Sequence, residues 1–223
     1  MISVGVSRHY LARPWFSLVI GPRTQENAEA LWDDVAERTD RVVPELITTD
    51  EHRVYAGAIL ATDGLATPVP RTGKRGRPPT PRLIPPRDVV YALVHKLRRK
   101  GRVVQVTIRR VFGTAHRLAQ ALARSGVSTH VNTSFVERFN ATVRQHNSRK
   151  ARKVYTFSKA LEPHQAMSWF AMSYDNFCRP HLGLRVREDG RWHRRTPAMA
   201  AGLSDHVWTL HEFLRYPLAH IPL

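Results

Sequence analysis

A layered α/β fold is the expectation for this chain of 223 residues, and three features of the sequence carry it. Its first third alternates short apolar runs with stretches of helical spacing, the rhythm of strand, helix, strand, helix. A basic, proline-rich stretch then breaks the pattern. Beyond it, alternating apolar residues return before several helical stretches close the chain.

Taken in order, Trp15-Phe-Ser-Leu-Val-Ile20 reads as a buried strand closed by the turn Gly21-Pro22. Thr24 is placed to cap the helix that follows, where Ala28, Leu31, Trp32, Val35 and Ala36 recur at helical spacing with acids on or near the other face. Pro44 to Thr49 reads as a second strand ending at Asp50, and Val54, Tyr55, Ala58 and Ile59 form the stripe of a short helix. Between Ala66 and Pro86 seven prolines predict an exposed, extended linker without helix or ladder. Strands are expected again at Val89–Val94 and Arg102–Val111, then a helix at Ala115–Ala123. A long helix opens at Ser134, and another runs from Ser158 to about Phe177. Trp169, Phe170, Tyr174 and Phe177 in that second helix have the spacing of a core stripe. Thr196-Pro197 is a helix start with a cap and a proline in the first turn, and Gly202 is its stop. A last short helix is expected between Trp208 and Leu214.

The charge balance narrows the function classes. Lys and Arg number 35 against 18 Asp and Glu, a formal charge of +17, which argues against a small-metabolite enzyme and for a polyanionic partner. The charge is uneven: residues 1–60 carry six Arg and nine acids, whereas 71–110 carry thirteen Lys and Arg against Asp88 alone. A second basic tract, Arg138 to Lys159, holds seven Lys and Arg and no acid. Two basic tracts beside an acidic lobe suggest a defined nucleic-acid face, the plainer alternative being two solvated basic surfaces. No apolar run approaches the ~18 residues of a membrane span, and the opening residues lack a secretory pattern. A single cysteine, Cys178, excludes a disulfide framework and suits a small buried side chain in a reducing, cytoplasmic compartment.

Two motifs carry the chemistry. Gly73-Lys74-Arg75-Gly76-Arg77-Pro-Pro79 is thin, extended and cationic, like an AT-hook lying in the narrow minor groove of A·T-rich DNA; the alternative is a basic tether touching phosphates without preference. Asp50 at a strand end and Glu137 near the first turn of the long basic helix are candidate ligands for one shared divalent cation. On spacing alone both also suit structural roles, as a turn residue and as a charge at a helix start. Arg144 follows Glu137 by seven residues, so a helix sets both on one face, where the arginine can meet a phosphate held at the cation. Arg138, Arg149, Lys150, Arg152, Lys153 and Lys159 are candidates for backbone contacts.

Five ordered strings, Leu46-Ile-Thr-Thr-Asp50, Val131-Asn-Thr-Ser-Phe-Val-Glu-Arg138, Tyr155-Thr-Phe-Ser-Lys159, Tyr174-Asp-Asn-Phe-Cys-Arg-Pro-His181 and Thr196-Pro-Ala-Met-Ala-Ala-Gly202, resemble the transposases of bacterial insertion sequences of the IS-one type. The resemblance runs from about Trp15 to about Leu214. It implies an RNase H-like mixed sheet flanked by helices, interrupted by the basic Pro-rich insertion. It also implies Mg²⁺ or Mn²⁺ held by an Asp, Asp, Glu triad that cleaves element ends and joins them to target DNA. Asp50 matches the second aspartate and Glu137 the glutamate. The first aspartate falls at His9, and Met1 to Arg13 contains no acid. The zinc-binding and helix-turn-helix segments expected upstream are also absent, which implies a truncated form or an N-terminal portion encoded in another frame. The expected organisation is an atypical segment 1–13, a first core part 14–65, a linker 66–88, a strand-rich part 89–131 and a helical part 132–223. The implied partner is double-stranded DNA, element ends and target, with a homodimer suggested because two ends must be joined. An inactive DNA-binding remnant and a small architectural DNA-binding protein are the alternatives.

Overall fold

The computed structural model describes residues 17–70, 73, 79–124, 130–131, 134–150, 155–156 and 158–216. They form two compact units that meet in the sequence between Ser134 and Phe135. His9, the AT-hook-like Lys74, Arg75, Gly76 and Arg77, and the basic Arg152 and Lys153 lie outside the described residues.

The first unit is a mixed α/β layer. Helix α1 (Gln25–Arg38) starts where expected: the Thr24 hydroxyl accepts from the Asn27 amide and satisfies one of the free N–H groups of the first turn. Its buried face is Ala28, Leu31, Trp32, Val35 and Ala36, the stripe read from the spacing. Strand β1 (Leu46–Asp50) is followed by α2 (Val54–Asp63), which buries Tyr55, Ala58 and Ile59. The sheet then adds β4 (Val90–Arg99), parallel to β1, and β5 (Arg102–Phe112), antiparallel to β4, in the order β1-β4-β5. Val90 to Val94 are buried on both faces of this central strand, which explains their unbroken apolar run. On one face Tyr91 and Ile47 pack against α1 and α2. On the other, Ala92 and Val94 meet Val131 and, from α3 (Ala115–Arg124), Leu118 and Leu122.

Three expectations are corrected in this unit. Of the strand expected at Trp15–Ile20, the described residues 17–20 show a bridge at Val19 and no ladder. The proline-rich stretch does form a ladder, between β2 (Leu65–Thr67) and β3 (Arg82–Ile84). It fits because Pro68, Pro81 and Pro85 flank the paired residues instead of occupying them. Strand β4 runs five residues past Val94, because pairing with β5 extends the ladder through charged positions that apolar alternation does not mark.

The second unit is mostly helical. Helix α4 (Ser134–His146) leads through a short 3₁₀ turn, Ser148–Lys150, towards α5 (Leu161–Phe177), which begins three residues after the expected Ser158. A hairpin of β6 (Val186–Glu188) and β7 (Arg191–His193) follows, turned at Asp189 and Gly190, both with positive φ. Helix α6 (Pro197–Ala200) is capped by Thr196, with Pro197 in its first turn, and α7 (Leu210–Arg215) opens on a capping box of Thr209 and Glu212. The aromatic stripe of α5 is only partly core. The residues that α5 buries are Ser168, Met172, Asp175 and Asn176, while Phe170 and Tyr174 pack around Phe213, and the Phe177 ring lies tilted against Trp208 at 4.7 Å. No helix among the described residues is long and apolar enough to cross a membrane.

Candidate functional site

Asp50 ends β1 at the carboxyl end of the parallel pair, directly opposite Val94 of β4. That edge is where α/β sheets gather ligands, because loop backbones and helix starts converge there. The carboxylate is half exposed and faces the Arg23 guanidinium at 3.7 Å, itself half exposed. Behind it stands a short hydroxyl chain. Thr49 Oγ1 donates to the Asp50 carbonyl at 2.8 Å, so its single proton is committed, and the Tyr91 hydroxyl at 2.8 Å must be the donor to Thr49. Register explains the meeting: Ile47 opposite Tyr91 and Thr49 opposite Leu93 set Thr49 and Tyr91 on the same face of the sheet.

Electrostatics follow from this packing. Burial first, and the Asp50 carboxylate second, push the Tyr55 phenol well above its ordinary range, while Arg23 pulls it the other way. Tyr91 is also raised, by burial and then against the Thr49 hydrogen bond, with Asp50 adding to the rise. Both phenols therefore stay protonated at neutral pH and can donate. Next to Asp50, Glu51 binds Nδ1 of His95, the residue that follows Asp50's partner Val94 on β4. His52 packs edge-on against Tyr55, with its Nδ1 buried and without a hydrogen-bond partner.

Glu137 belongs to the second unit, in the first turn of α4, and its side chain is exposed. Ala141 and Arg144 are exposed on the same helix, as the spacing of one face requires, and Arg138 is exposed beside them. Asp50 and Glu137 are thus each described within its own unit. The 3₁₀ turn arranges the basic residues after α4. The Arg149 amide donates to Asn147 Oδ1 at 3.1 Å, and its guanidinium reaches Ser158 Oγ at 3.4 Å. Lys150 is partly buried, and loss of hydration draws its ammonium down to about 8. Lys159 is exposed. Nearby, burial and then the Lys150 charge lower the His164 imidazole, whose buried Nδ1 has no partner.

A hard divalent cation takes oxygen ligands, and the carboxylates of Asp50 and Glu137 have that donor chemistry. The ligand count within either unit is short of a full site: among the described residues, no group of three or more His, Cys, Asp and Glu converges to hold a metal. Sequence reasoning found Asp50 from its place at a strand end. It missed Arg23 and the pair of Tyr91 with Thr49, because both depend on register and on long-range packing that no local spacing encodes. It also missed Asp175, whose buried carboxylate accepts from Arg179 at 3.1 Å and lies 3.2 Å from His181 Nε2 without hydrogen-bond alignment. That triangle ties the end of α5 to the loop after it, which gives Arg179 and His181 a structural role. No protein-family model, no curated protein and no solved structure matches this chain.

Proposed function

We propose that this chain is a DNA transposase of the IS-one insertion-sequence kind, with an RNase H-like core interrupted by the basic stretch 66–88. It binds double-stranded DNA and cleaves and transfers strands with Mg²⁺ or Mn²⁺. The observation that carries the reading is the exposed Asp50 carboxylate at the ligand-gathering edge of a mixed α/β sheet, on a chain of formal charge +17. Asp50 and Glu137 are the residues that would hold the cation, whose contribution is to activate the attacking oxygen and stabilise the leaving one. Arg138, Arg144, Arg149, Lys150 and Lys159 supply phosphate contacts, which position DNA without reading its bases. The protonated Tyr91, acting through Thr49, steadies the last carbonyl of β1 and with it the backbone that carries Asp50.

A second reading, DNA binding without strand cleavage, is favoured by the pairing of Asp50 with Arg23. A strand-transfer assay with Mg²⁺ on the wild type, Asp50→Asn and Glu137→Gln separates the two. The first reading expects product from the wild type and a loss of about 100-fold or more in each variant, beyond what outer-shell partners of a metal site usually cost. Duplex binding with no product from any of the three selects the second reading. Equal product from all three ends the metal assignment, and no duplex binding ends both readings.

A further inference from the structure

The distal half of the β4–β5 hairpin is an exposed surface charged with one sign, and the basic tracts read from the sequence do not single it out as a unit. Five of the seven residues from Lys96 to Arg102 are cationic, and the chain carries no acid between Asp88 and Glu137. Every residue from 97 to 110 is exposed, on both faces of the ribbon. Past His95 the hairpin thus leaves the layer that buries Val90 to Val94, and four further residues of β4 extend it by about 13 Å.

The tip is built against its own stability. Lys100 and Gly101 form its two-residue turn, both with positive φ, the tight hairpin geometry that favours Asn-Gly or Asp-Gly. A lysine there is uncommon, because Cβ crowds the following carbonyl in the left-handed region. Arg99 and Arg102 stand directly opposite each other, a like-charge pair that weakens a ladder. Among the described residues none of Arg98, Arg99, Lys100 and Arg102 has an acidic partner. The register also slips between Leu97 and Arg98, a bulge that tightens the local twist.

We infer that this hairpin is a nucleic-acid-binding ribbon that enters the major groove of duplex DNA, its arginines and Lys100 on the flanking phosphates. A two-stranded ribbon fits a groove about 12 Å wide, and the exposed Val104, Val106 and Ile108 suit apolar contact with thymine methyl groups. Phosphate oxygens would relieve the like-charge pair that the free hairpin carries. A second copy of this chain is the less suitable occupant. Antiparallel pairing of two β5 edges would set Arg102 of one copy against Arg109 or Arg110 of the other.

The inference rests on the DNA-binding part of the proposed function and not on its catalysis. Its test is duplex binding by the full chain, followed by fluorescence anisotropy on a labelled 20-base-pair DNA across a series of salt concentrations. The quadruple variant Arg98→Gln, Arg99→Gln, Lys100→Asn, Arg102→Gln should bind about 10- to 100-fold more weakly, with a salt slope shallower by about 3. Lys100→Asn alone should weaken binding a few-fold while leaving the thermal midpoint equal or higher, since asparagine accepts the turn conformation better. That combination separates lost charge from lost structure. Wild-type binding matched in affinity and slope by the quadruple variant overturns the ribbon and leaves the function reading standing. Failure of the wild type to bind duplex overturns both. A change in sedimentation with Val104→Thr and Val106→Thr, without a change in DNA affinity, overturns the ribbon in favour of a protein interface.

Discussion

The two units bury different things. In the first, Leu31, Ile47, Ile59, Val90 and Tyr91 are at most 1% exposed, and the polar residues described as buried are Ser17 and Thr49. In the second, the described residues bury Asn147, Ser168, Asp175, Asn176 and Thr196 beside Val143, Met172, Cys178, Leu184, Pro197 and Ala198. Apolar burial is non-directional and roughly proportional to area, whereas a buried polar group is tolerable only with its partners in place. The first unit is therefore specified by shape and volume. The second is specified by particular hydrogen bonds: the Ser168 hydroxyl donates to the His164 carbonyl at 2.6 Å, the Met199 amide to the Thr196 hydroxyl at 3.2 Å, and the Arg195 guanidinium to the Met199 carbonyl at 3.0 Å.

The sharpest way to break this contrast is to remove volume from the first unit. Leu31→Ala leaves a cavity against Trp32, Val35 and β4, and should cost about 3–5 kcal/mol in urea unfolding. A cost under about 1 kcal/mol would mean that α1 does not pack as described. The matching experiment in the second unit removes charge instead. Asp175→Ala strands Arg179 and His181, but both are partly exposed and can rehydrate, so a smaller loss of about 1–3 kcal/mol is expected. Met172→Leu, which keeps volume, should stay under about 1.5 kcal/mol. Equal costs for Asp175→Ala and Met172→Leu would mean that buried polar partners do not specify the second unit.

The same contrast explains what could be read from the sequence. Helix α1 was legible down to its cap and its five buried residues, because a 3.6-residue apolar period reports directly on a volume-packed face. The position of Asp50 was legible for a related reason: β1 is short, opens on Leu46 and Ile47 and is bounded by turns. The half of β4 beyond Val94 was not, since its strand character comes from pairing with β5 and its residues are charged. The β6–β7 hairpin had a local signal, Asp189-Gly190 between two short runs, and it went unused because the runs Val-Arg-Glu and Arg-Trp-His lack apolar alternation. On α5 the aromatic period points at the wrong face. The buried side is Ser168, Met172, Asp175 and Asn176, and the partners of the aromatic side, Trp208 and Phe213, lie some thirty to forty residues away. Where polar partners decide burial, composition along the chain says little.

Titration at high pH gives an effect whose sign differs between the units. Burial draws Lys150 down to about 8, whereas the same lysine in an unfolded chain titrates near ~10.4. Between those values the unfolded chain binds more protons, so the second unit should gain stability as pH rises from about 8 to about 10.5 and lose it again as pH falls back through 8. Tyr55 works the other way. Its phenol is raised by burial, so the folded first unit keeps a proton that the unfolded chain gives up near ~10, and stability falls as pH climbs beyond that point. Urea unfolding from pH 7 to 11 should therefore show a rise that Lys150→Met flattens, followed by a decline that Tyr55→Phe lessens, the remainder coming from the buried Tyr91. The two variants must act on separate pH windows: if Lys150→Met left the rise between about 8 and 10.5 intact, the lysine would be hydrated in the folded protein, and the basic turn after α4 would be an open surface and not a packed one.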